Sequence, residues 1–179
     1  NKDQAYFADG LAEELINMLS KISNIKVTSR TSAFSFKDKV IDIPTIAKQL
    51  NVNYILEGSV RTHDTIVRVN VQLIDAKNDS YSWSQSWDKE LENIFQIQNE
   101  ISKLVTQKLE IELTDNLLKT EGKVNPEAYR LYLKAKYQLN LINSESSYEE
   151  SYMLAESLLK KSIELDSVFA PSWQLLSNV

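Results

Sequence analysis

Cysteine is absent from this chain of 179 residues, and histidine occurs once, as His63. The lack of cysteine excludes disulfides, thiolate zinc sites and thiol catalysis, although it leaves the compartment open. A lone histidine, with no second imidazole or carboxylate cluster at ligand spacing, is a poor metal ligand and cannot serve a Ser-His-Asp triad. We therefore expect no catalytic residue, no metal and no cofactor, and the chain is predicted not to be an enzyme.

Glycine is also scarce, and the three glycines form neither a Walker loop nor a G-x-G-x-x-G motif. No apolar run approaches the roughly 20 residues of a membrane-spanning helix. The formal net charge of −5 gives no field that favours nucleic acid or an anionic membrane, so we expect neither partner for this chain. Because the chain begins at Asn1 without a methionine, we interpret it as part of a longer protein.

The amino-terminal pattern predicts a helix followed by a strand. Apolar residues at helical spacing in "YFADGLAEELINMLSKIS" predict an amphipathic helix, with Glu13 and Glu14 on its solvated face. "NIKVTS", residues 24–29, is predicted to be a short strand.

Two further helices have recognisable ends. Asp42 is the predicted N-cap of the first, and Asn51 is its predicted left-handed end. Asn93 is predicted to cap a second, longer helix.

Residues 54–75 alternate with period two and predict a β-hairpin. With His63 and Asp64 as a two-residue turn, Gly58 faces Val69 on the core side. Both turn residues belong to types that are enriched at positive φ. We interpret Gly58 as a position where a helix approaches the sheet, and His63 as a surface residue.

"SYSWSQSWD" places Tyr81, Trp83 and Trp87 on one side of a predicted strand and serines on the other. Such an aromatic row can stack nucleobases or sugars. It is more often sheet core under a helix, which we favour because no basic groove lies beside it.

The segment Thr28–Lys39, predicted to be a loop, combines hydroxyls with positive charge at the end of the predicted strand. In α/β sheets ligands bind at that end, and an anion or a carboxylate-bearing partner would suit it. The candidate binding residues are Arg30, Ser32, Lys37 and Lys39. In the interpretation that we favour, Phe34 and Phe36 anchor the loop, and its charges are solvated.

Five separated blocks carry a family resemblance: "YFADGLAEELINMLSKI", "SRTSAFSFKDK", "IAKQLNVNYILEGSVR", "VRVNVQLIDA" and "SWDKELENIFQIQNEIS". Together they resemble the TolB amino-terminal-like domain of bacterial signalling proteins. The resemblance implies an α/β (α+β) sandwich with a mixed sheet over residues 1–118. It also implies that the family's first strand, of the type "AVLPF", is missing. The family offers no catalytic residue to transfer.

In that family the module precedes tetratricopeptide repeats. It often follows a winged-helix DNA-binding domain, a class III adenylate cyclase or a protein kinase, commonly with a membrane span between. The resemblance therefore implies a regulatory part of a membrane-tethered bacterial parent, with the periplasmic side favoured over the cytoplasmic. A separate cyclase or kinase domain would belong to that parent.

The polar stretch around Gly122 and Pro126 predicts a linker, and the rest of the chain reads as helices. Residues 124–179 resemble the incomplete start of a tetratricopeptide-repeat array. Ala155, Leu159 and Ser162 stand where the second helix of a repeat carries its signature residues, and Trp173, Leu176 and Ser177 match the opening of the next repeat.

The end of the chain is a candidate partner surface. Trp173 and Leu176 are expected to be covered by the preceding helix, whereas Leu175 and Val179 are expected to face a helix of a further repeat. We take Trp173, Leu175 and Leu176 as the partner-binding candidates.

The expected function is a non-enzymatic regulatory or scaffolding module of a bacterial signalling protein. It would bind a protein or peptide through the α/β domain and the helical repeats. The alternative is a small-ligand or anion sensor that uses the Thr28–Lys39 loop to regulate an upstream cyclase, kinase or DNA-binding domain. A ligand that binds the folded chain would raise its melting temperature, which separates the two hypotheses.

Overall fold

A computed structural model describes residues 2–22, 25–109, 124–141 and 148–179. Its elements, in chain order, are α1 (Lys2–Ser20), α2 (Arg30–Phe34), α3 (Ile43–Leu50), β1 (Tyr54–His63), β2 (Ile66–Asp75), β3 (Ser80–Glu90), a 3₁₀ turn (Leu91–Asn93), α4 (Ile94–Lys108), α5 (Pro126–Leu141), α6 (Tyr148–Leu165) and α7 (Ala170–Leu176). The predicted α+β fold followed by a helical segment is confirmed.

The sheet has three strands in the order β1-β2-β3, and both pairings are antiparallel. The prediction of a mixed sheet is therefore wrong for the described residues. The expected strand over residues 24–29 does not form where it is described, since residues 25–29 have no strand structure. Ile25 and Val27 instead pack half-buried against the core, so their side chains are sheltered without a backbone ladder.

The hairpin turn lies one residue later than predicted. Asp64 adopts the left-handed conformation, with φ at 52°, and β1 ends at His63. Gly58 consequently pairs with Val71 rather than Val69. This is a shift of two residues, and because side chains alternate with period two, every residue keeps its predicted face. His63 is exposed at the tip, as predicted.

Glycine is needed at position 58 for a different structural reason from the one expected. The residue is exposed, so no helix closes over it. A Cβ at this position would collide with the backbone carbonyl oxygen of Asn70 on the neighbouring strand. The glycine is thus required by the approach of β2, and the interpretation that it admits a helix is wrong.

The aromatic row on β3 is interrupted. Trp87 is buried and Trp83 is half-buried, with their ring centroids 5.8 Å apart. A register irregularity between Leu73 and Ile74 pairs Ile74 with Tyr81, which is exposed. The prediction of a core role therefore holds for the two tryptophans and fails for the tyrosine.

Helix ends follow the local sequence. The side chain of Asp42 accepts a hydrogen bond of 2.8 Å from the Thr45 amide, which lowers the pKa of that carboxyl. Asn51 ends α3 in the left-handed conformation, with φ at 54°. Asn93 precedes α4 as predicted, but its side chain makes no capping hydrogen bond. Ser29 is a cap that was not predicted, and it begins α2 inside the segment expected to be a loop.

One hydrophobic core joins the sheet to helices of both predicted units. Its buried residues come from β2 and β3 and from α1, α4, α5 and α6. The predicted Ala155, Leu159 and Ser162 are all fully buried on α6. The residues between the two predicted units, 119–123, lie outside the described part of the chain, and Pro126 begins α5 as expected.

Candidate functional site

Two of the four predicted anion-binding residues are held by carboxylates of α1. Arg30 Nε donates to Glu13 Oε2 at 2.9 Å, and the guanidinium lies 4.4 Å from the centroid of the Phe34 ring. Lys37 Nζ lies 2.6 Å from Asp9 Oδ1. An external anion would have to compete with these two carboxylates for the same cations.

The other two predicted residues have separate environments. Ser32 donates its backbone amide to the Ser29 side chain at 3.3 Å, as part of the α2 cap. Lys39 is exposed, with its ammonium 5.8 Å from the centroid of the Phe36 ring. The structure thus uses Arg30 and Lys37 to attach the α2 segment to α1, and it brings no common site together from all four residues.

The same face of α1 binds α5 through a network of charges, which we call the α1–α5 joint. Lys136 on α5 lies 3.2 Å from Glu13 and 2.5 Å from Glu14, and its side chain is only 12 % exposed. The hydroxyl of Tyr132 donates to Glu14 at 2.9 Å. The expectation that the two glutamates are solvated is wrong, because α5 covers the face of α1 that carries them.

Gly10 lets the two helices approach at the centre of this joint. A Cβ on Gly10 would lie 2.6 Å from Leu133 Cδ2, and Leu133 is fully buried. Sequence reasoning missed this role, although a signal was present. A glycine inside a helix costs roughly 1 kcal/mol relative to alanine, so a helical glycine in an apolar stripe indicates close packing.

Aromatic rings surround the apolar side of the joint. Tyr129 on α5 contacts Phe7 of α1, Phe95 of α4 and Phe169 before α7, with ring centroids 5.8 to 6.1 Å apart. Burial raises the pKa of Tyr129 and of Tyr132, and the nearby Glu14 carboxylate raises both further. Both phenols are therefore neutral across the physiological range, and each donates or accepts only as an uncharged group.

The joint continues to the sheet. Arg130 on α5 donates to the backbone carbonyl of Asp64 at the tip of the β1–β2 hairpin. The amide of Val124 donates to the carbonyl of Glu92 at 3.2 Å, just before α4. Helix α5 is consequently fixed at α1, at α4 and at the hairpin tip, which are three separate points of the α+β unit.

The carboxy-terminal helices are joined by buried serines. Ser162 of α6 donates to the carbonyl of Ala128 in α5 at 2.7 Å, and its hydroxyl lies 2.7 Å from that of Ser172 in α7. All three residues are fully buried. These contacts fix α7 against the α5–α6 pair.

The predicted partner surface has a different composition from the one expected. Leu175 and Leu176 both pack half-buried against the core. Trp173 is 52 % exposed, with its indole N–H donating to the Ser167 carbonyl at 2.9 Å. The expectation that Trp173 is covered and Leu175 points away is therefore wrong, because α7 turns Leu175 toward the core.

Three of the exposed apolar residues lie close together in sequence where α6 meets α7. Leu165, Val168 and Trp173 form what we call the α6–α7 corner, and Val168 is 88 % exposed. The indole of Trp173 lies against the chain at Ser167, which places the three side chains on neighbouring backbone. Large exposed apolar side chains that lie together are typical of protein-binding surfaces.

The described residues show no group of acidic or histidine side chains arranged to hold a metal ion. Among the helices of that same part of the chain, none is long and apolar enough to cross a membrane.

Two comparisons with known proteins show what the chain is similar to. Residues 1–104 match the family model described as the second domain of HilA/YgeH-like transcriptional regulators. The chain is also 36 % identical over 180 residues to a protein of Rhizobium meliloti (strain 1021) named "Putative adenylate cyclase 3". The alignment covers 99 % of this chain and 30 % of that relative, so the chain spans less than a third of the relative's length. Since the family match includes more than half of the chain and runs from α1 into α4, the chain belongs to the family of HilA/YgeH-like transcriptional regulator second domains, a regulatory module.

Proposed function

We propose that this regulatory module binds a protein or peptide partner at the α6–α7 corner and conveys that binding through the α1–α5 joint. The supporting observation is the combination of two features. Apolar side chains are exposed at the corner, and the helices that carry them are fixed to the α+β unit. Within this proposal, residues 1–118 are a TolB-like domain and residues 124–179 begin a tetratricopeptide-repeat array.

The corner suits an apolar partner surface. Leu165 and Val168 lie at the end of α6 and in the connection to α7, and Trp173 lies on α7. Tryptophan is enriched at binding hot spots because it buries a large area and loses few rotamers. A partner that covers Trp173 and Val168 would remove apolar surface that is now in water, which favours association.

The joint supplies the physical connection. Because α5 contacts α1, α4 and the hairpin tip, displacement of α5 changes the environment of all three. Packed side chains transmit such displacements since protein interiors have few voids to absorb them. In the full-length protein the module would thereby regulate a separate output domain. The name of the Rhizobium relative supports a cyclase as that output, and the family match supports transcription.

A site-specific photocrosslinker at position 173 of the full-length protein tests the proposed surface in cells. We expect a partner adduct at Trp173 and none with the same probe at Arg61, which is exposed on β1. The Trp173→Ser variant should lose the output response while remaining folded, with a lowered free energy of unfolding because the hydrogen bond to Ser167 is lost. Adducts of equal yield at both positions, or an unaltered response of Trp173→Ser, would contradict the assignment.

A further inference from the structure

A groove of about 390 Å³ opens between α3 and the adjoining ends of β1 and β2. Its walls include Pro44, Ala47 and Lys48 from α3, Tyr54 at the start of β1, and Asp75 and Lys77 at the end of β2. The volume lies within the range of roughly 300–1,000 Å³ that is usual for small-molecule sites. The groove lies apart from both the α1–α5 joint and the α6–α7 corner.

Two lysines, Lys48 and Lys77, line this groove. The structure gives neither Lys48 nor Lys77 a carboxylate partner among the described residues. By contrast, Lys37, Lys89 and Lys136 each lie within 3.2 Å of an acidic side chain. Two ammonium groups without carboxylate partners at one concave surface form an electrostatic site for an anion.

The one carboxylate in the wall is engaged by its own turn. Asp75 Oδ1 accepts the amide of Lys77 at 2.9 Å, and its Oδ2 accepts the side chain of Asn78 at 2.8 Å. These two donors partly compensate the negative charge of Asp75. The groove therefore keeps a net positive character near Lys48 and Lys77.

An aromatic and apolar wall lies beside these cations. Tyr54 is 41 % exposed, and Pro44 and Ala47 line the same groove. A flat ring can lie on a tyrosine face, which gives contact area without a specific hydrogen-bond pattern. The combination of cations and an aromatic wall distinguishes this groove from a solvated lysine pair.

We propose that the groove binds a small aromatic anion, with its ring on Tyr54 and its phosphate or carboxylate group between Lys48 and Lys77. The inference is independent of the partner surface proposed above. It also places an anion site away from the Thr28–Lys39 segment, where Arg30 and Lys37 are already paired.

The experiment is a titration of the isotope-labelled chain, followed by the chemical shifts of its backbone amides. Phenyl phosphate and benzoate are the two anionic probes, up to about 10 mM, where even millimolar affinity is seen as saturation. Benzyl alcohol supplies a ring without charge, and inorganic phosphate supplies charge without a ring. We expect saturable shifts at the groove with at least one anionic probe, and weaker effects with both half-probes. The anionic probe that binds more tightly shows whether the groove prefers a phosphate or a carboxylate group.

Matched variants assign the site. Lys48→Gln combined with Lys77→Gln should weaken binding by about tenfold or more, as expected for the loss of a charge-assisted hydrogen bond. The control is Lys103→Gln combined with Lys161→Gln, two exposed lysines elsewhere that give the same change in net charge. The proposal is overturned if neither anion saturates, if both double variants weaken binding equally, or if benzyl alcohol binds as well as the anions.

Discussion

A methyl group added at Gly10 should act in opposite directions depending on the residue at position 133. In the parent, the new Cβ would lie 2.6 Å from Leu133 Cδ2 and 3.2 Å from its Cγ. Real Cβ atoms do not approach that closely, so Leu133 or the helix that carries it must move. Leu133 is fully buried, and its neighbours leave it little space.

Two contributions of opposite sign determine how much Gly10→Ala changes the free energy of unfolding. Overpacking of a buried contact costs about 1–3 kcal/mol. Replacing a mid-helix glycine by alanine contributes about 1 kcal/mol of stability, because the unfolded chain loses freedom. We therefore expect Gly10→Ala to lower the free energy of unfolding by up to about 2 kcal/mol.

The same substitution in a Leu133→Ala background should have the opposite sign. The truncation alone should cost about 2–5 kcal/mol, and it removes the atoms with which the new methyl collides. Gly10→Ala should then raise stability by about 1 kcal/mol. Equilibrium urea unfolding of the four proteins measures the coupling between the two sites. Asn17→Ala, at an exposed position on α1, is the control for helix propensity. If Gly10→Ala stabilises the parent by the full helix-propensity difference between glycine and alanine, the close contact between α1 and α5 is refuted.

Three further predictions concern the hairpin, the buried phenols and the α2 segment. Gly58→Ala should lower the free energy of unfolding by about 1–3 kcal/mol in urea, because the carbonyl of Asn70 cannot move without loss of strand pairing. His63→Ala should change the free energy of unfolding by less than about 0.5 kcal/mol. The raised pKa of Tyr132 means that its stabilisation is complete below the unfolded pKa near 10 and is lost at higher pH. Between about pH 10 and 11 the parent should therefore lose about 1 kcal/mol more stability than Tyr132→Phe; equal slopes would show that the phenol is not buried. Arg30→Ala should cost about 1 kcal/mol through its partly buried pair with α1, and an unchanged unfolding midpoint would return the segment to the solvated interpretation.

Sequence patterns predicted which face of an element is buried better than they predicted which elements pack against each other. The hairpin shows this most directly. The turn was placed one residue early, yet Val69 and Val71 are buried, because the period-two pattern survives a shift of two residues. The cap at Asp42 and the left-handed Asn51 were also predictable, since both depend on residues within one helical turn.

The failures have a common physical origin in contacts between distant residues. Glu14 and Lys136 are 122 positions apart, so no local pattern indicates that α5 covers the charged face of α1. The same holds for Trp173, whose exposure depends on how α7 turns on the buried hydroxyls of Ser162 and Ser172. The strand predicted over residues 24–29 contains Ile25 and Val27, which pack against the core from outside the sheet.

The ion pairs of the α1–α5 joint are better explained by the orientation that they give to α5 than by a contribution to the free energy of unfolding. Burying ions costs solvation free energy, and pairing them often does no more than offset that cost. Here two glutamates, 16 % and 25 % exposed, meet the cations of Arg30 and Lys136. An apolar contact at the same place would tolerate sliding of α5 along α1. The fixed geometry of these ion pairs and of the Tyr132 hydrogen bond does not. Leu133 packs against Gly10 next to these ion pairs, so both packing and charge constrain the angle between α5 and α1. For the proposed function such a defined angle matters, since a partner can shift an equilibrium only between distinct arrangements.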